Sequence, residues 1–436
     1  MIEGLQSFQN IFKVPELKRR VLITLALLAA YRLGAHVPTP GIDAVALAEF
    51  FDQVQGTLLG MVDLFSGGNL RRLTVFALGI MPYISASIIL QLLTVVIPKL
   101  ERLAKEGEAG KKKITQYTRY GTIGLSIVQS FGIAVGLESM RSQTGGVLVP
   151  DPGWDFRLMT MLTLTTGTAL IMWLGEQISE KGIGNGISLI IFAGIVVRLP
   201  SAIVSSYTLL STGELKLFVF LGLVIMMVAV TAAVVVMQEG QRKIPVQYAK
   251  RVVGRRMYGG QSTHIPLRIN TAGVIPVIFA SSLILFPATL TRFIHHPWMQ
   301  YISEALSPGH FTYTVLYCGL IIFFAYFYTA IVFNPVDLAD NMKKYGGFIP
   351  GVRPGKKTAE YIDKTLTRIT LPGAMFLALI SVLPDFLIQW FNTPFYFGGT
   401  SLLIVVGVAL DTVRQMESHL LMRNYEGFLR KKARGA

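Results

Sequence analysis

The chain has 436 residues, of which 52% are hydrophobic and only 15% are charged, and it carries a formal net charge of +15. A soluble protein of this size normally has about a quarter charged residues, so the composition argues against a soluble globular protein. Cys318 is the only cysteine, which excludes an intrachain disulfide.

Ten apolar stretches follow one another along the chain, each about long enough to cross the ~30 Å hydrocarbon core of a bilayer as an α-helix. Most lysines and arginines lie near the termini or in the loops after the second, fourth, sixth and eighth stretches. By the positive-inside rule, these loops and both termini face the cytoplasm, which predicts an all-α polytopic membrane protein. The stretches lie near residues 20–37, 73–97, 117–138, 157–177, 186–206, 215–237, 271–292, 312–333, 368–388 and 397–415.

The loop between the first and second stretches, 38–72, is apolar towards its end. This apolar segment, about 57–69, is too short to span a bilayer and is predicted to be a half-inserted helix that ends at a glycine break. Non-helical backbone survives at membrane depth only when it is buried in protein or lines a water-filled cavity, so the segment implies a cavity. Its residues include Leu58, Met61, Val62, Leu64, Phe65, Ser66, Gly67 and Gly68.

Uncharged polar side chains occur inside the stretches, where a proton-coupled carrier would place carboxylates near the midplane. Ser87 and Gln91 lie in the second stretch, Gln129 in the third and Ser282 in the seventh. Each alone is typical of a hydrogen bond between helices, and together they suit a wall that sometimes faces water. A sodium site made of backbone carbonyls stays open as an alternative.

Isoleucines recur at helical spacing in four of the stretches. Any one of them is more typical of a packed core or a lipid-facing surface than of a functional site. They are Ile80, Ile84, Ile187, Ile191, Ile278 and Ile404.

Two predicted cytoplasmic loops, 239–270 and 335–367, are hairpin-like, basic and longer than topology requires, and a shorter basic loop lies at 98–116. Loops of more than about a dozen residues in a compact protein are usually functional or disordered. The basic charge has two interpretations that the sequence leaves open. It suits attraction to anionic lipid headgroups, and it suits docking of an acidic or nucleic-acid partner.

Two glycine-rich segments resemble nucleotide-binding loops only superficially. Segment 182–186 lacks the strand that precedes a dinucleotide fingerprint. In segment 351–358 the glycine spacing is one residue short of a phosphate loop, and Pro354 removes a backbone donor. The histidines show no metal-ligand spacing, so we expect no cofactor and no metal.

The stretches form two sets of five, and an odd number of spans forces the second set into inverted topology. Inverted repeats are common among transport proteins, where the pathway lies at the repeat interface. The predicted domains are an N-terminal half (1–206), a C-terminal half (207–416) and a basic cytoplasmic tail (417–436).

Seven motifs occur in an order and at positions that identify a family. They are PTPG at 38–41, FSGG at 65–68, ALGIMPYISASII at 77–89, QYTRY at 116–120, GIGNG at 182–186, QSTH at 261–264 and PFYFGGTS at 394–401. Through them the chain resembles, over essentially its whole length, the SecY family of channel subunits of the bacterial protein-export translocon.

The resemblance implies an hourglass channel of ten helices in two inverted halves around a central pore. By this resemblance, segment 57–69 is the plug and the six isoleucines named above form the pore ring. The second and third apolar stretches face the seventh and eighth at the lateral gate, which carries Ser87, Gln91, Gln129 and Ser282. The resemblance also makes the two long loops the docking surface, with Arg255, Arg256 and Arg353 as contacts.

The same resemblance implies a path for unfolded secretory proteins across the bacterial cytoplasmic (inner) membrane and lateral release of transmembrane segments into lipid. The expected partners are SecE, SecG, the SecA motor ATPase, the ribosome, preproteins with their signal sequences, and anionic lipids. The chain itself is then not an enzyme. An ion-coupled small-solute carrier is the competing class, and an intramembrane hydrolase is less favoured because no Ser–His or paired-Asp arrangement lies at membrane depth.

Overall fold

The structure is a computed structural model that describes residues 14–53, 63, 66–140, 147–213, 216–248, 251–253, 256–258, 262–290, 305–306, 310–391 and 399–434. The chain divides into two compact units. The first comprises Met1–Leu209, Ser281–Tyr313 and Val408–Ala436, and the second Leu210–Ala280 and Thr314–Gly407. These units differ from the predicted halves, because the first unit takes in two segments from the second half of the chain. The inverted halves stay a prediction.

Helices make up most of the described residues. They are α1 Pro15–Gly34, α2 Ala44–Gln53, α3 Met81–Val96, α4 Pro98–Lys105, α5 Glu108–Ser139, α6 Trp154–Lys181, α7 Gly186–Val196, α8 Leu199–Ser211, α9 Leu217–Glu239, α10 Ile275–Leu290, α11 Phe311–Val332, α12 Pro335–Lys344, α13 Lys356–Phe391 and α14 Gly399–Arg434.

Every predicted apolar stretch overlaps one or two of these helices, so the mainly helical membrane fold is confirmed. Six helices in the described part of the chain are long and apolar enough to cross a membrane, or seven if the bent pair α3–α4 is one span. Helix α1 includes Lys18, Arg19 and Arg20, so it is less apolar than the other spans. The count of ten spans stays a prediction.

The second predicted stretch begins later than expected. Helix α3 starts at Met81 rather than near residue 73, and residues 75–80 form turns instead. Backbone pairing with residues 37–39, in the segment that follows α1, holds these turns: Thr39 N donates to Leu73 O at 2.8 Å and Val75 N donates to Val37 O at 2.9 Å. The turns are also close to α6, since a Cβ at Gly167 would lie 1.9 Å from Val75 O. The non-helical backbone is therefore buried in protein, as membrane depth requires.

Several segments predicted as loops are helical. Loop 98–116 contains α4 and the start of α5, with a 100° bend between α3 and α4. Loop 335–367 contains α12 and the start of α13, and the predicted tail 417–436 continues α14 as far as Arg434. Asn334 caps α12 by accepting a hydrogen bond from Val336 N at 3.1 Å, a local signal that outweighs the polar composition of the segment.

The predicted hairpin at 239–270 is a β-hairpin, which adds small sheets to the all-α fold. Its strands β1 Gln241–Tyr248 and β4 Ser262–Arg268 pair antiparallel, and β5 Gly347–Phe348 adds to the free edge of β1. Strands β2 Arg251–Val253 and β3 Arg256–Tyr258 form a second, two-stranded sheet at its tip.

Candidate functional site

The candidate ring isoleucines lie in both units. In the first unit, Ile80 precedes α3 and Ile84 is in its first turn, while Ile187 and Ile191 lie on α7. In the second unit, the two candidates lie on α10 and α14. All are buried except Ile187, which is half-buried. The six are Ile80, Ile84, Ile187, Ile191, Ile278 and Ile404.

Local signals in the sequence set the start of both helices in the first unit. Pro82 occupies the first turn of α3, where its missing N–H costs no hydrogen bond. Asn185 caps α7, because its Oδ1 accepts hydrogen bonds from the N of Ile187 at 3.1 Å and of Ser188 at 3.3 Å. Each helix therefore places its candidate isoleucines at or near its first turn.

The end of the predicted plug lies against α7 and against the turn that precedes α3. A Cβ at Gly79, beside Ile80, would lie 3.3 Å from the Cα of Ser66, and a Cβ at Gly67 would lie 2.8 Å from the Cα of Gly194 on α7. Gly194 is three residues beyond Ile191 and therefore on the same side of α7. The plug end thus contacts the turn that precedes α3, next to Ile80, and the side of α7 that carries Ile191.

The chain turns at the predicted glycine break. Gly67 and Gly68 have φ values of 74° and 83°, which favour glycine because a Cβ would clash in this region. The remaining plug candidates, Leu58, Met61, Val62, Leu64 and Phe65, lie outside the described residues.

Hydrogen bonds tie this turn to α1. Asn69 Nδ2 donates to Ser66 O at 2.6 Å and to the Tyr31 hydroxyl at 3.2 Å, and the Tyr31 hydroxyl donates to Ser66 O at 3.4 Å. All three residues are buried, so loss of the whole set of bonds would leave buried polar groups without partners.

A charged contact that sequence analysis missed ties the same segment to the end of α7. Asp63 forms an ion pair with Arg198, and its other carboxylate oxygen accepts a hydrogen bond from Arg71 N at 2.9 Å. Arg198 is one of the few arginines outside the predicted cytoplasmic loops, which was a usable signal. Its partner could not be inferred, because the two residues are 135 positions apart.

The candidate gate residues are described on α3, α5 and α10. The Ser282 hydroxyl on α10 contacts the sulfur of Met81 on α3 at 3.9 Å. Gln91 Nε2 donates to Ser87 Oγ at 3.3 Å within α3, and Gln91 Oε1 is buried without a partner in the described part of the chain. Gln129 is buried on α5. Ser282 therefore contacts Met81, which is six residues before Ser87 in the sequence.

The two predicted docking loops form one structural element in the second unit. Buried residues from the hairpin, α12 and α13 share an apolar cluster, against which Val352 packs. The next residue, Arg353, is exposed. Arg255 lies outside the described residues, and Arg256 is described only by its place on β3. The cluster comprises Ile244, Val246, Leu267, Met342, Ile349, Ile362, Leu366 and Ile369.

The chain is similar to known proteins over most of its length. A family model described as SecY matches residues 74–413. The protein translocase subunit SecY of Escherichia coli (strain K12) is 53% identical over 420 residues, which covers 95% of this chain and 94% of that protein. Among the described residues, no group of three or more His, Cys, Asp or Glu side chains could hold a metal ion.

Solved structures share the fold. One is of a SecY protein whose plug domain stabilises the closed state of the translocation channel and maintains a membrane seal. It has a TM-score of 0.65 and 18% identity, and 92% of each chain is covered. Another is Sec61 in a canine ribosome–channel complex from the endoplasmic reticulum, with a TM-score of 0.60, 17% identity and 92% of each chain covered.

Proposed function

The chain belongs to the SecY family, and from this membership we propose that it is the central pore-forming subunit of a bacterial protein translocase. It passes unfolded secretory proteins across the cytoplasmic membrane and releases transmembrane segments laterally into lipid. The observation that carries the proposal is the contact of the plug end with the turn before α3, where Ser66 meets Gly79 beside buried Ile80, and with α7, where Gly67 meets Gly194 near buried Ile191.

Isoleucine suits a seal of this kind for a physical reason. An aliphatic side chain has no donor or acceptor that would bind a passing peptide, and it can adapt to side chains of different shapes. A narrow apolar constriction also excludes water, which makes the passage of ions unfavourable. The proposed ring comprises the six isoleucines, and the proposed plug comprises 57–69.

Both termini and the long basic loops face the cytoplasm in this proposal. The apolar cluster that joins the hairpin to α12 and α13 supports a stable docking surface there, with Arg255, Arg256 and Arg353 as contacts. The ribosome and the SecA motor dock on it, as the basic charge and the ribosome-bound Sec61 relative suggest. SecE and SecG are the small membrane partners, and anionic lipids neutralise the remaining basic residues.

Reconstitution tests the proposed function directly. The purified chain with its small partner subunits, in proteoliposomes supplied with motor ATPase and ATP, should bring a labelled precursor protein into a protease-protected space. Omission of ATP is the control. Ion-driven uptake of labelled small solutes, with no precursor protected under either condition, would instead support a solute carrier.

The proposed seal predicts a gain of ion conductance. Ile84→Gly with Ile191→Gly should remove two apolar side chains of the proposed ring and raise the conductance of the resting channel in planar bilayers about tenfold or more. Hydration of a widened constriction is the reason.

A matched control uses two buried isoleucines on the same helices. Ile88→Gly with Ile190→Gly places glycines on α3 and α7 at a similar cost of about 1 kcal/mol each in helix propensity. This control should keep a low resting conductance. Equal conductance in the two double variants would mean that Ile84 and Ile191 are ordinary core residues.

A further inference from the structure

The Asp63–Arg198 ion pair is the strongest polar contact between the plug end and the rest of the first unit. Asp63 is only 4% exposed, whereas the Arg198 side chain is 30% exposed. One carboxylate oxygen pairs with the Arg198 guanidinium and the other accepts from Arg71 N at 2.9 Å. Both carboxylate oxygens of Asp63 therefore have partners. A buried carboxylate without such partners would be strongly unfavourable.

Arg198 is held firmly on its own side of the contact. Its N donates to Ile195 O at 3.1 Å at the end of α7, and its O accepts from Ala202 N at 3.0 Å and from Ser201 Oγ at 2.8 Å at the start of α8. The guanidinium therefore projects from the junction of two helices. This junction does not have to move when the plug end moves.

Glycine allows the close approach of the two partners. A Cβ at Gly68 would lie 3.4 Å from Arg198 Nη2, and a Cβ at Gly67 would meet the backbone of α7. Asp63 O also accepts from Gly68 N at 2.9 Å and from Ser66 Oγ at 3.0 Å. The charge on Asp63 is thus coupled to the same turn that ends the plug.

We propose that Asp63 and Arg198 form an electrostatic latch that holds the end of the plug against the α7–α8 junction in the resting channel. The proposal rests on the proposed function, since it assumes that the plug end must leave α7 for the channel to open. When that happens the pair separates, and opening then carries the cost of breaking a largely buried ion pair. The neutral hydrogen bonds from Tyr31 and Asn69 hold the same turn to α1 independently.

Single substitutions test the latch on the purified channel complex in planar bilayers. Asp63→Asn keeps an oxygen that can accept from Arg71 N but removes the charge, and Arg198→Gln removes the guanidinium. Each should raise the open probability of the resting channel about tenfold, which corresponds to about 1.4 kcal/mol. The double variant should resemble the single variants, because a broken pair cannot be broken twice.

Glu138 and Arg157 provide a matched control on the same unit. They form an ion pair at 2.6 Å that joins the ends of α5 and α6. Glu138→Gln should leave the resting open probability unchanged. An unchanged open probability in Asp63→Asn and Arg198→Gln, or effects that add in the double variant, would overturn the latch.

A second measurement does not depend on the stability of those variants. Asp63→Cys with Arg198→Cys, in a Cys318→Ser background, should be joined by a bifunctional thiol reagent as long as the Asp–Arg pair. The joined channel should lose precursor export, and cleavage of the reagent should restore it. Failure to cross-link, or full export through the joined channel, would overturn the latch. Loss of export by the unmodified wild-type complex would instead count against the proposed function.

Discussion

A channel in which α3 and α10 are joined by a short cross-link should stop exporting precursor proteins. Met81→Cys with Ser282→Cys, in a Cys318→Ser background, is the pair that we expect to cross-link, because the two native side chains are in contact at 3.9 Å. A long flexible reagent on the same pair should restore export. The measurement is the amount of precursor protected from protease before and after each reagent.

The physical basis is the weakness of the contacts across this proposed gate. Hydrogen bonds between membrane helices contribute on the order of 0.6 kcal/mol each, and a hydroxyl–thioether contact is weaker still. Buried Gln91 Oε1 has no partner in the described part of the chain, so α3 does not use all of its polar groups. A signal sequence can separate helices that are held by such weak contacts, whereas it cannot break a covalent link between them.

Two further pairs sharpen this experiment. Ser130→Cys with Thr165→Cys should join α5 to α6, because the Ser130 and Thr165 hydroxyls lie 3.5 Å apart. This link should leave export intact, because the proposed gate does not run between α5 and α6. Ser87→Cys with Ser282→Cys should cross-link less readily than the Met81 pair. Full export through the short-linked Met81 pair would show that α3 and α10 need not part.

Reversal of one exposed charge should nearly abolish export driven by the motor. We expect Arg353→Glu to reduce motor-driven translocation about a hundredfold. Loss of a charged contact of about 3 kcal/mol would have this effect, and breaking an interfacial charge pair commonly costs 2–5 kcal/mol. ATP-dependent protection of a precursor measures the effect, and motor binding to the vesicles measures its cause.

The surroundings of Arg353 explain why one side chain can matter so much. Val352 packs on the apolar cluster, and Thr358 Oγ1 donates to Arg353 O at 3.0 Å. Gly351 and Gly355 have φ values of 81° and 97°, which fix the turn. The guanidinium is therefore presented from an ordered base, which limits the entropy lost when a partner binds.

Lys356→Glu is the matched control for this charge reversal. Lys356 is exposed and basic, begins α13 and lies three residues from Arg353. It should lose much less translocation. Equal losses in both variants would indicate a general effect of charge. Translocation at the wild-type level by Arg353→Glu would mean that Arg353 is not part of the docking surface.

Sequence analysis was most successful where a signal is local. Long apolar runs predicted the helices, and Gly67 with Gly68 predicted the turn at the end of the proposed plug. It failed where tertiary contacts decide the backbone. The apolar run near residue 73 looks helical, but hydrogen bonds with Val37 and Thr39, in the segment after α1, hold it in turns. Likewise, the Asp63–Arg198 pair has no local pattern, because it joins distant segments.

Polar composition gave a wrong prediction for the segments expected on the cytoplasmic side. The segment after residue 334 is charged and contains glycine and proline, so it was predicted to be a loop. Yet Asn334 and Pro335 are strong signals for a helix start, and α12 follows directly. The apolar residues that α12 and α13 contribute to the shared cluster are spaced for helices, a weaker pattern in a short segment.

The 100° bend after Val96 makes the thickness of the bilayer relevant to opening. In the proposed orientation, α4 lies along the headgroup region, where its Lys99, Arg102 and Lys105 favour anionic lipids. Helix α3 then supplies about 24 Å of length, from 16 residues, and the turns at 75–80 supply the rest of a hydrocarbon core of ~30 Å. A change in bilayer thickness therefore acts on these turns and on the helix that contacts Ser282, so the acyl-chain length of the host lipids becomes a variable that sets how readily the channel opens.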